Sequence, residues 1–166
     1  MIHTRTFLLL LQAWFINILF GAIVFNTIVF YPNIFHNIPN SLELTMQFLK
    51  VRGPHHFFPP FGASVILSNL IALFFWWKFR AVRNLLLISL ILLIVFEFIF
   101  SVTFFWDKNI ILFVEGKQVH SQTYLQDVAD SFQLWHWVRV CTSGIASLCA
   151  LAALQVKNSG IIRNTY

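Results

Sequence analysis

Between Asn84 and Asp107 the chain reads LLLISLILLIVFEFIFSVTFFW, and Glu97 is its sole ionisable side chain. A membrane-crossing helix needs roughly 20 mostly apolar residues, and this run supplies them. Three other runs match it, so the expected spans are about Phe7–Tyr31, Pro60–Trp77, Leu85–Trp106 and Trp135–Val156. Hydrocarbon offers the backbone no hydrogen bonds, so a spanning run satisfies its own as a helix. The expected fold class is an all-α membrane protein. It is a four-transmembrane-helix bundle, one integral domain over residues 1–166, with short helices in the two outer loops.

Composition excludes the water-soluble alternative. Hydrophobic residues make up 58% of the chain and charged residues 10%, and phenylalanine alone occurs 20 times. A small soluble domain must turn much of its side-chain surface to water and could not hide this much apolar area. The first run is too long for the core of a cleaved signal peptide and lacks a small-residue cleavage pattern after it. Both cysteines, Cys141 and Cys149, fall in the fourth run. They stand about 12 Å apart along one helix, too far to bridge each other.

Four spans put both termini and the Trp77–Asn84 connection on one side. That side carries Arg5, Lys78, Arg80, Arg83, Lys157 and Arg163 and no acid. Basic residues close to span ends in short loops mark the cytoplasmic face, so both termini are expected there. The bilayer is the expected partner, and the bacterial inner membrane the expected location. The basic residues flank spans and form no stripe, which argues against nucleic acid. Whether copies assemble into a homo-oligomer is left open.

The loops carry their own signals. Tyr31-Pro32 ends the first span, because proline disfavours helix in the residue before it. Asn40-Ser-Leu-Glu43 has the form of a capping box and predicts a surface helix over Ser41–Lys50. Thr123-Tyr-Leu-Gln126 has the same form. Leu125, Val128, Ala129 and Phe132 follow at helical spacing and predict a helix that runs into the fourth span.

Charge inside a membrane is costly and asks for a reason. Arg139 is expected to pair with Glu97 or Asp107 in the bundle interior. Such a pair either serves chemistry or only fixes helix registry. Asn17, Gly21, Asn26 and Thr27 in the first span are expected at helix contacts. His36, His55, His56, His120 and His136 all fall on the outer side, and only His3 on the other. Imidazole is a common metal ligand. His55, His56, His120 and His136 could supply a metal site (copper, iron or zinc) if three or more converge. Interfacial histidines making ordinary hydrogen bonds, with no metal at all, stand as the plainer reading. Phe58, Phe61, Phe105, Trp106, Asn109 and Trp135 are candidates for an outer apolar pocket, although tryptophan at span ends also forms the interfacial belt.

Four stretches together carry a resemblance. They are Gly21 with Tyr31-Pro32, Phe57-Phe58-Pro59, Ser101-Val-Thr-Phe-Phe-Trp-Asp-Lys-Asn109, and Trp135-His-Trp-Val-Arg139. The chain resembles the anthrone oxygenase-like family of small four-span membrane proteins. Asn109 and Arg139 match the family pattern, while Phe105, Asp107 and His136 replace its polar or proline positions. The resemblance implies a bundle with a polar pocket at one membrane face and oxygenation of an aromatic substrate. In that reading the chain is a membrane oxidoreductase acting on an apolar aromatic or lipid-like molecule. His136 is the general base, Arg139 the oxyanion partner, and Glu97 or Asp107 the orienting acid. The alternative is a non-enzymatic membrane binding, assembly or transport accessory protein.

The orientation is testable with reporters. A fluorescent protein fused after Tyr166 should fluoresce, and alkaline phosphatase inserted after Gly116 should be active. The opposite pattern would invert the bundle.

Overall fold

The computed structural model describes residues 2–158, so Arg163 and the side chain of His3 lie outside the described residues. The described chain is almost wholly helical and holds no strand. Four helical runs are long and apolar enough to cross a membrane: Thr4–Phe35, Pro54–Trp76, Arg80–Gln118 and Gln122–Lys157. The chain is an integral membrane protein.

Seven α-helices make up these runs and the first outer loop. They are α1 (Ile2–Phe25), α2 (Tyr31–Phe35), α3 (Asn40–Phe48), α4 (Phe58–Trp76), α5 (Arg80–Leu92), α6 (Trp106–Ile110) and α7 (Gln122–Asn158). α1 packs on α4 and α7, and α5 packs on α7 and α4, which closes an up-and-down ring. At one end Trp76 Nε1 donates to the Arg5 carbonyl at 3.1 Å and ties α4 to α1. Gly144 on α7 allows a close approach, since a Cβ there would stand 3.2 Å from the Phe20 ring of α1. Gly21 has open space around it and makes no such contact.

Three of the four runs exceed the bilayer. They hold 32, 39 and 36 residues, against 23 in the second. At 1.5 Å per residue, 36 α-helical residues span about 54 Å, far more than the roughly 30 Å of hydrocarbon. The surplus rises as a headpiece at the end of the bundle opposite the Trp77–Asn84 connection. Its core joins Tyr31, Ile34, Phe35, Ile38, Leu42, Phe105, Leu112, Leu125, Ala129 and Phe132. The expected end of the first span at Tyr31 therefore falls short. Pro32 sits in the first turn of α2, where its missing N–H is harmless, and the run continues to Phe35.

Two predicted helix starts differ from the structure. α3 forms, but its first turn has no side-chain cap. Ser41 instead donates to the Ile34 carbonyl at 2.7 Å and accepts from the Asn37 N–H, tying α3 back to α2. α7 begins two residues before the Thr123 signal would place it, with Ser121 Oγ accepting from the Tyr124 N–H at 3.3 Å. It then runs unbroken through the fourth span, as the apolar spacing predicts. Gly116 takes φ of 55° near the end of the third run, a conformation that suits glycine alone among common residues.

The third run is interrupted by wide turns. Leu93–Ile99, Ser101–Phe105 and Ile111–Glu115 are π-helical, and so is Asn26–Phe30 in the first run. A π turn closes on i→i+5 and takes up an extra residue. Each one shifts the phase of the helix beyond it.

Phe132 is 2% exposed at the centre of the headpiece core, whereas Phe98 is 60% exposed on the lipid side. Phe132→Ala should cost about 3–5 kcal/mol. Phe98→Ala should stay within about 0.5 kcal/mol. Reversible unfolding in mixed detergent measures both.

Candidate functional site

The charged pair lies where the bundle passes into the headpiece. Arg139 donates from Nε and Nη2 to a single oxygen of Glu97, Oε2, at 3.0 and 2.6 Å. Their side chains are only 12% and 8% exposed. Of the two expected partners, Glu97 is the one the fold selects. Asp107 is exposed and points away, because it lies beyond the π turns.

The same wide turns decide which ring meets Arg139. Regular α spacing would put Glu97, Ser101, Phe104 and Lys108 on one face. In the structure Phe105 lies under the guanidinium, with Cζ 5.4 Å from the ring centre. Phe104 instead meets Lys108, whose Nζ stands 4.4 Å from that ring.

His136 is 1% exposed and binds on both ring nitrogens. Nδ1 lies 2.6 Å from Thr27 Oγ1, and Nε2 lies 3.4 Å from Arg139 Nη1. Thr27 spends its only proton on the Ile23 carbonyl at 2.8 Å, so it accepts from His136. A guanidinium has no acceptor, so Nε2 faces it as a lone pair. His136 is therefore a neutral ring protonated on Nδ1. The bonds run in one direction, from Arg139 through His136 and Thr27 to the helix backbone. The cluster holds one positive and one negative charge and is neutral as a unit. The ring edges of Tyr31 and Phe105 and the face of Phe132 enclose the imidazole.

Two polar atoms here have no partner, Glu97 Oε1 and Ser101 Oγ. The Asn26 amide is turned toward the Tyr31 phenol, which itself lies in the field of Arg139. Glu97, Ser101 and Asn26 all sit in π-helical segments, and such turns are frequent at functional sites.

The remaining sequence candidates disperse. His55 and His56 are exposed and lie against each other at the head of the second run, with ring centroids 4.0 Å apart and planes tilted by 42°. His120 pairs with Glu115 at 2.6 Å. Among the described residues no three His, Cys, Asp or Glu side chains converge as a metal site needs, so the expected four-histidine set does not assemble. The physical reason is position, since the four occupy a loop, a headpiece turn and a buried helix face. Phe58 and Phe61 pack with Phe57 and Phe15 near the head of the second run. Trp135 packs on Phe100 and Phe104. Trp106 and Asn109 face outward. Of the six expected pocket residues, Phe105 alone touches the charged pair. A cavity of about 660 Å³ lies higher in the headpiece, between Phe30, Ile34, Leu44 and Phe48, and none of the six lines it.

Sequence reading missed the Thr27–His136 bond as a bond, although Thr27 was marked as a contact residue. It missed the π turns entirely. No family model, curated protein or solved structure matches the chain.

The pair is testable as a unit. Arg139→Ala and Glu97→Ala should each cost about 3–5 kcal/mol, because each strands a buried charge. The double variant should cost clearly less than the sum, as a double-mutant cycle in detergent would show.

Proposed function

We propose that the Glu97–Arg139 cluster is the working site of a membrane oxidoreductase of the oxygenase type. Its substrate is an apolar aromatic or lipid-like molecule with one acidic C–H or O–H group, drawn from the bilayer. One observation carries this reading. Glu97 keeps Oε1 free of any protein donor while Oε2 takes both bonds from Arg139. A buried acceptor left unpaired is costly, and a substrate donor would satisfy it.

The roles differ from those the sequence suggested. The lone pair of His136 already faces Arg139, so Glu97 Oε1 is the better-placed base. A neutral substrate gives its proton to Glu97 and keeps the electron pair as an enolate or phenolate. Arg139 then exchanges one anionic partner for another, and the net charge of the site stays constant. That exchange avoids the cost of creating charge in a low-dielectric site. Molecular oxygen accepts electrons at the substrate carbon, and the resulting hydroperoxide loses water to leave a carbonyl. Overall, a ring CH₂ and O₂ become a ring C=O and H₂O. His136 is a positioning residue in this scheme. The resemblance to the anthrone oxygenase-like family supports the substrate class. The acid-free basic end supports cytoplasmic termini, and the small size with that resemblance supports the bacterial inner membrane.

A structural reading rests on a separate observation. His136 and Thr27 are buried and fully bonded, as parts of a helix lock would be. In that reading the chain is a non-enzymatic binding, assembly or accessory protein.

The two part on kinetics. Reconstituted protein should speed oxygen uptake by a dihydroxyanthrone above that in protein-free vesicles. Glu97→Gln should remove about 10²-fold or more of that rate. Equal rates for wild type and Glu97→Gln would overturn the enzyme reading.

A further inference from the structure

A second polar layer crosses the bundle nearer the basic end. Gln12 on α1, Asn69 on α4 and Ser89 on α5 are each 0% exposed. Asn69 Nδ2 donates to Ser89 Oγ at 3.2 Å. Neither amide atom of Gln12 has a partner, and Asn69 Oδ1 has none.

Helix register puts the three at one level. Leu9, Ala72, Leu73 and Leu86 belong to one apolar cluster. Ala13, Ile16, Val65 and Leu93 belong to the next. Gln12, Asn69 and Ser89 each lie between a member of the first and a member of the second on their own helix. All three therefore occupy the seam between the clusters. Ala150 and Ala153 of α7, both 0% exposed, belong to the same two clusters and bring only methyl groups. The layer lies about 10 Å along α1 from Arg5, well inside the hydrocarbon. The Glu97–Arg139 pair lies about 25 Å along the third run from Arg80, so this layer is separate from it.

The demand at this level is specific. Gln12 offers two N–H donors and one carbonyl acceptor, and Asn69 offers one more acceptor. No charged group stands in the layer. A guest here must be uncharged, small, and both donor and acceptor, and water, the most abundant such molecule, meets all three. Buried water makes two to four hydrogen bonds to groups like these. We infer that Gln12, Asn69 and Ser89 form a hydration site inside the membrane half of the bundle, where bound water links α1 to the Asn69–Ser89 pair.

Radiolytic footprinting in ¹⁸O-labelled water tests this on the intact protein in lipid. Hydroxyl radicals born at a bound water mark the side chains beside it. Leu9 and Leu86 are 0% exposed and flank the layer, while Leu19 is 2% exposed and lies away from it. Leu9 and Leu86 should take up ¹⁸O several-fold above Leu19, and Gln12→Leu/Asn69→Leu should bring them down to its level. Uptake at Leu9 and Leu86 no higher than at Leu19 in the wild type would overturn the site. So would uptake that persists in the double variant, because the water would then not be held by these amides.

Discussion

A salt bridge in a bilayer survives only if the fold brings both partners together and leaves neither alone. The Arg139–Glu97 pair meets that condition by its depth. It stands where the bundle passes into the headpiece, between Phe132 of one apolar cluster and Val140 of the next on α7. Three of the four runs continue past it, so the headpiece forms a cap of aromatic side chains above the pair. Phe105, Tyr31 and Phe132 belong to that cap and also wrap His136. The long helices and the buried charges are thus one design, since the cap keeps water from the pair and the pair ties the third run to the fourth.

The arrangement is lopsided in a useful way. On one side it is closed, from Arg139 through His136 and Thr27 to the backbone of α1. On the other it is open, with a free carboxylate oxygen and a free hydroxyl. A pure lock would gain from closing both sides. Glu97 and Ser101, on the open side, lie in the π-helical segments of the third run, and such turns are frequent at functional sites.

Much of the fold was legible because its causes are local. Apolar run length identified four spans, and the spacing of Leu125, Val128, Ala129 and Phe132 identified the headward part of α7. Glu97 and Arg139 stood out because charge in lipid is rare. What escaped depended on helix phase. No residue pattern announces a π turn, so Asp107 was kept as a partner although it is exposed. The histidines illustrate the same limit. Their shared side of the membrane was readable, but three-dimensional convergence was not, and they disperse. Gln12 and Asn69 could have been found by asking of every polar residue in a span, as was asked of every charged one, what satisfies it.

The central claim is that Glu97 Oε1 is kept for a ligand. Native mass spectrometry of protein released from its own membranes, without added substrate, tests it most directly. Wild-type protein should carry a small organic adduct that folded Glu97→Gln lacks. Wild type and Glu97→Gln emerging equally bare, with equal thermal stability, would contradict the claim and leave the pair as a fastening between helices.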